Sequence, residues 1–187
     1  MRYSADHKAQ TRDKLLCSSS AIAKRGGFAA TGVDGLMKAI GLSGGAFYSH
    51  FPSKNDLFSA IVERELSQSL ARLADSSDGQ DARARLRRCL DSYLSLAHVQ
   101  HPDSGCALPA LGAEIARAPL AVREQAQHWL LRLQQAWAGI LGDEQQAWAL
   151  LAQCVGALLL ARMLAGEDVQ QALLEASRAQ VQAQLEQ

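Results

Sequence analysis

Gly41-Leu-Ser-Gly-Gly-Ala-Phe-Tyr-Ser-His-Phe-Pro-Ser-Lys-Asn-Asp-Leu-Phe58 is a run in which turn formers and helix starts alternate every few residues. Gly41 ends the segment before it, Leu42 is expected to plug a core, and Ser43 can cap a short helix through about Ser49. Phe51-Pro52-Ser53 then stops the chain. Ser53-Lys-Asn-Asp56 has the spacing of a capping box, opening a long helix with Leu57, Phe58, Ile61, Val62 and Leu66 on one face. Upstream, Thr31-Gly-Val-Asp34 repeats the capping-box spacing and predicts a short helix to Ile40. Two short helices joined by a tight glycine-containing turn are helix-turn-helix grammar.

Working outward, Leu15, Leu16, Ile22 and Ala23 recur at helical spacing and Gly26-Gly27 follows, so a first helix is expected from about His7 to Arg25. Lys8, Arg12 and Lys14 decorate its start. Beyond the fourth helix, Ser76-Ser-Asp-Gly79 reads as a loop inside a helical body. Further helices are expected at about Asp81–Val99, Pro109–Arg117, Leu120–Leu141, Glu144–Leu164 and Val169–Gln184. Only four prolines occur in 187 residues, β-branched residues are scarce, and Ala, Leu, Gln and Arg dominate. The expectation is an all-α chain of about nine helices, in which residues 1–52 form a three-helix unit and residues 53–187 a larger helical one; a chain of this length can bury one substantial core or two modest ones.

The formal net charge is zero, but its distribution is uneven. From Met1 to Phe58 there are eight Lys/Arg and four Asp/Glu, a net of +4, and the remainder carries −4. Positive charge therefore gathers where the helix-turn-helix lies, as a polyanionic partner requires. Cys17, Cys89, Cys106 and Cys154 are scattered without a CxxC pair, and the N-terminus lacks a signal peptide's apolar core, so a reducing cytoplasm is expected. The apolar stretch Ala147–Ala161 is interrupted by Gln153 and closed by Arg162, and is expected to be a buried helix that falls short of a membrane span.

The Gly-aliphatic-Ser turn, the Gly-x-aromatic-Tyr-x-His-Phe run and the Ser-Lys-x-x-Leu-Phe helix start stand here in the order that marks the tetracycline-repressor (TetR/AcrR) family. With Thr31–Ile40, the resemblance covers roughly the first third of the chain. It implies a DNA-reading domain over residues 1–52, followed over residues 53–187 by a helical regulatory domain that binds a ligand and dimerises through its last long helices. The implied partners are a palindromic operator, a second copy of the chain and an unknown small-molecule effector, with repression the family's habit. The physics of the motif agrees. Small residues at Ser43, Gly44, Gly45 and Ala46 leave room for a helix to approach base edges, while Tyr48, Ser49, His50, Lys54 and the helix start at Thr31 suit phosphate oxygens. The family often has Lys where Gly44 stands, so readout is expected to lean on DNA shape or on other residues.

Other chemistry is sparse. Cys106, in Ser-Gly-Cys-Ala-Leu-Pro at a loop-to-helix junction, is a candidate redox or electrophile sensor beside the plainer reading of a small packing residue. His98, His101 and Cys106 make too loose a set to expect a metal. Tyr93, Glu114, Trp129, Arg162 and Met163 are candidates for an effector pocket, with core, dimer or ion-pair roles as the alternatives. No paired carboxylates, nucleophile triad or strand-based nucleotide loop is found, so neither an enzyme nor a cofactor is expected.

Overall fold

A computed structural model describes residues 5–74 and 81–186. In chain order the helices are α1 (Ala5–Gly26), α2 (Val33–Lys38), a 3₁₀ helix (Gly44–Ser49), α3 (Lys54–Ala74), α4 (Ala82–Tyr93), α5 (Leu96–Gln100), α6 (Leu108–Arg117), α7 (Leu120–Leu141), α8 (Glu144–Met163) and α9 (Glu167–Leu185). Among the described residues there is no strand, as the composition predicts. The loop expected at Ser76–Gly79 lies outside them.

Local chemistry decides the helix ends. Ser53 caps α3, its hydroxyl accepting the Asp56 N–H at 3.1 Å and donating to Asp56 Oδ2 at 2.6 Å, so the box closes between side chains. The other two expected caps are not made. Gly32, one residue after Thr31, is the extended cap of α2, and neither it nor Ser43 supplies a side-chain bond. Gly41 adopts φ +76°, a left-handed turn that an L side chain resists, and the Leu42 N–H returns to the Met37 carbonyl at 3.0 Å. Leu42 is thereby carried outward and stays 37% exposed, contrary to expectation, because Leu36, Met37 and Phe47 already fill the space beneath.

The helix expected over Asp81–Val99 is two helices. α4 ends at Leu94, and Ser95 recaps the chain by accepting the His98 N–H at 3.3 Å while donating to the Ser92 carbonyl at 2.7 Å. A serine competing for backbone groups breaks the run. The break folds His98 back edge-on against Tyr93, with ring centroids 4.6 Å apart. The later helices fall within a few residues of their expected ends.

Two apolar clusters result. The first joins Leu15, Leu36, Phe47, Leu57 and Ile61 to Leu111 and Ile115 of α6 and Val122 of α7. The second joins Leu90, Leu94 and Val99 to Trp137, Leu150, Leu158, Leu174 and Val181. α3 contributes Leu66 to one and Leu70 to the other, while Trp129 and Leu108 pack against both. Arg83 fastens the far end, donating to the Leu141 carbonyl at 3.1 Å and the Leu185 carbonyl at 3.0 Å, at the electronegative ends of α7 and α9.

α8 is apolar on all sides. Leu150, Leu151, Cys154 and Leu158 are buried, whereas Trp148, Leu159, Leu160 and Met163 are exposed. Contrary to expectation, this 20-residue helix is long and apolar enough to cross a membrane by length and composition. Its buried side lies within the second cluster, as in a core helix.

Candidate nucleic-acid interface and the cavity behind it

The 3₁₀ helix rests on two buried rings, Phe47 and Phe51, and turns Tyr48 outward, 67% exposed. Phe47 supports the Tyr48 ring edge-on at 5.3 Å. Ser43, Gly45 and Ser49 share the exposed surface, and Ser49 donates its hydroxyl proton to the Ala46 carbonyl at 2.7 Å, leaving lone pairs outward. A Cβ at Gly44 would collide with the Asp34 carboxylate of α2, so packing within the protein itself requires a small residue there.

α1 supplies the charge. Arg12 lies over the Phe51 ring at 4.5 Å, and burial together with Lys8 and Arg12 holds the His50 imidazole below its ordinary pKa. His50 Nδ1 is buried without a partner among the described residues. Lys8 and Arg12 are thus neighbours of the interface that a reading centred on the 3₁₀ helix leaves out; their i, i+4 spacing at the start of α1 is the signal that finds them. Lys54 is turned inward, donating to the Ala29 carbonyl at 3.2 Å with its ammonium 4.8 Å above Phe28. Thr31 is half-buried, its methyl group facing Gly35.

Behind this module lies a cavity of about 570 Å³ among α4, α5, the 101–107 loop, α7 and α8. Tyr93 lines it, as do Trp137, Cys89, Cys106 and Cys154. None of the other candidate effector residues lines it; Arg162 lies behind His98, its Nη2 donating to the His98 carbonyl at 3.0 Å. Trp129 packs between the two clusters, and Met163 is largely exposed. Glu114 is occupied elsewhere, accepting the Phe28 and Ala29 N–H groups at 2.8 Å each.

His98 holds the cavity loop. Its Nδ1 lies 2.8 Å from the Tyr93 carbonyl and its Nε2 2.9 Å from the Cys106 amide. Only the neutral tautomer with the proton on Nδ1 satisfies both. Burial lowers its pKa against the opposing pull of the Tyr93 bond, and Arg162, Arg72 and Lys24 lower it further. A side chain at Gly105 would strike the imidazole ring, so the loop closes only with glycine there. Burial, and then Cys106, raise the Tyr93 phenol's pKa; the same two causes push the Cys154 thiol up to about 12.

Three polar links join this loop and α6 to the helix-turn-helix. Lys24 of α1 donates to Glu65 of α3 at 2.7 Å and to the Gly105 carbonyl at 3.0 Å, both side chains being almost wholly buried. Arg25 pairs with Asp103 at 2.7 Å. Glu114 of α6 clamps the α1–α2 turn.

An exposed polar edge on a short helix, backed by a phenylalanine pair and flanked by basic side chains, makes this helix-turn-helix, carried on an all-helical body, a candidate nucleic-acid reader. Residues 18–61 match the family described as bacterial regulatory proteins, tetR family. That match spans the helix-turn-helix segment, about a quarter of the chain. A similar curated protein is an uncharacterised HTH-type transcriptional regulator, YfiR, of Bacillus subtilis strain 168; it is 29% identical over 86 residues, which cover 46% of this chain and 42% of that one. Over nearly the whole chain the fold is shared with solved structures. A TetR transcriptional regulator from Chloroflexus aurantiacus J-10-fl superposes with a TM-score of 0.81 at 21% identity, covering 97% of both chains. Reduced NemR from Escherichia coli superposes at 0.77 with 25% identity, covering 92% of this chain and 95% of that one.

Proposed function

We propose that this protein is a cytoplasmic, dimeric transcriptional repressor that leaves its operator when a small molecule fills the cavity behind the helix-turn-helix. The observation that carries the DNA-reading half is Tyr48, exposed on a helix otherwise anchored by buried rings, with Lys8 and Arg12 alongside. Residues 1–52 serve as the reader in this reading and residues 53–187 as the regulatory and dimerisation part. The exposed apolar face of α8, Trp148, Leu159, Leu160 and Met163, with α9 beside it, supplies the dimer contact. Two readers related by a dyad then meet successive major grooves of a palindrome, ~34 Å apart.

The switch in this proposal is geometric. A ligand that moves the 101–107 loop or α6 acts on α1 through Lys24, Arg25 and Glu114, and so changes the separation of the two readers. Near-complete release requires the ligand to prefer the released state by about 5 kcal/mol. Tyr48→Ala is expected to weaken binding to most duplexes about tenfold per half-site, the loss of one phosphate hydrogen bond worth ~1.4 kcal/mol, with dimer mass unchanged. Salt-titrated fluorescence anisotropy measures this, and undiminished affinity removes Tyr48 from the interface.

A second reading has its own observation, namely that Cys106, Cys89 and Cys154 line one cavity. A peroxide would be the oxidant. The Cys106 thiolate attacks one peroxide oxygen, the O–O bond breaks, hydroxide leaves and a sulfenic acid forms. The added oxygen then crowds the loop that His98 and Lys24 hold. Cys106→Ser is expected to abolish peroxide-induced release from DNA while leaving affinity in reductant unaltered. Unchanged peroxide-induced release in the serine variant returns Cys106 to a packing role.

A further inference from the structure

Asp34 stands exposed in the first turn of α2 and makes no hydrogen bond or ion pair among the described residues. Its side chain leans across to Gly44 at the leading end of the 3₁₀ helix. The place a Cβ would take on Gly44 is filled by Asp34 Oδ1, and the other heavy atoms nearest that place are the Cγ and Cα of Asp34 itself. The carboxylate therefore stands in for the side chain that the 3₁₀ helix lacks at position 44. Around it, Gly45 and Ala46 carry no polar side-chain atom, and Ser43 carries one hydroxyl. A hydroxyl both donates and accepts, so it tells bases apart poorly. An ionised carboxylate only accepts.

An acidic residue in the first turn of a helix is ordinarily favoured by the backbone dipole, but that needs the charge near α2 alone. Here the carboxylate also lies over the leading end of the next helix, the part of a recognition helix that meets base edges. An anion facing a polyanion weakens binding to any duplex unless a donor meets it. We infer that Asp34 reads a base and selects cytosine, accepting from its exocyclic N4 amino group in the major groove. The four base edges leave one fit. Guanine presents O6 and N7 and thymine O4, all acceptors that repel a carboxylate, while adenine sets an N7 acceptor beside its N6 amino group. Cytosine offers a donor with no acceptor on its own edge. This inference rests on the DNA-reading half of the function proposed above and names a base that the reader selects in each half-site.

The test selects duplexes from a random pool with the full-length parent, Asp34→Ala and Asp34→Asn, then measures each selected sequence and its single-base variants by fluorescence anisotropy. In the parent, exchanging the cytosine for another base is expected to weaken binding about tenfold per half-site. Asp34→Ala is expected to erase discrimination at that position, to keep the preferences elsewhere, and to bind random duplex more tightly than the parent. Asp34→Asn, nearly isosteric and uncharged, is expected to move the preference to adenine, whose N6 and N7 an amide meets with its acceptor and its donor. The asparagine variant carries the test should the alanine variant fail to fold. Preferences unchanged at every position, a uniform weakening across positions, or a preference lost where the parent selects a base other than cytosine overturns the inference and leaves the reader in place. Failure of the parent to select any sequence removes the DNA-reading proposal and this inference with it.

Discussion

Replacing Lys24 by methionine is expected to destabilise the protein by about 3–5 kcal/mol, the cost of leaving the partner charge of a buried pair uncompensated. Glu65 would retain only the Ser20 hydroxyl, 2.5 Å from Oε1, while the ammonium that now lies 2.7 Å from Oε2 would be gone. Both side chains of the pair are less than a tenth exposed, so water cannot replace the lost charge. For a chain of this size the melting midpoint should fall by roughly 10 °C or more. Removing both charges, as Lys24→Met with Glu65→Leu, should restore most of that loss, since a buried pair is often worth little against an apolar replacement. The double variant nevertheless lacks the bond from Lys24 to the Gly105 carbonyl, so it should fold and bind DNA but respond weakly to whatever fills the cavity. Thermal unfolding and operator release together test this. A single variant within 1 kcal/mol of the parent removes the pair from the account.

Glu114→Ala is the second large effect. Its carboxylate accepts two backbone N–H groups, from Phe28 and Ala29, on the turn that leads into α2. Hydrogen bonds to charged groups are worth about 1.5–3 kcal/mol each, and the turn's partial exposure allows water to recover some of that. The expected result is a stability loss of about 2 kcal/mol and at least a tenfold loss of operator affinity, because α6 no longer fixes the reader's angle. Ligand affinity in the cavity should be unaltered. Glu114→Gln keeps one acceptor oxygen and should fall between. A Glu114→Ala protein that melts and binds DNA like the parent would show that α6 holds the turn by apolar packing alone.

Much of the local structure was legible because it depends on neighbours in sequence. The Ser53 cap and the all-helical pattern both follow from short-range rules. The failures are informative too. Leu42 stays outside because Leu36 and Met37 had already filled the space, α2 starts one residue later than Thr31 would cap, on Gly32, and Ser43 stands at the start of the 3₁₀ helix without a side-chain bond. Ser95 broke a helix that periodicity alone would have continued. Glu114 could not be told from an effector ligand in the sequence, since its partners lie 85 and 86 residues away.

The sequence by itself determined the helix-turn-helix and the all-helical class, because caps, turns and hydrophobic period act over three or four residues. Only the tertiary structure decided which polar groups are left without partners and which part of the body touches the reader. Lys24 meets Gly105 across 81 residues, and Tyr93, Trp137 and Arg162 come from three different helices. Burial and pairing are properties of the packed chain, and no spacing rule reaches that far.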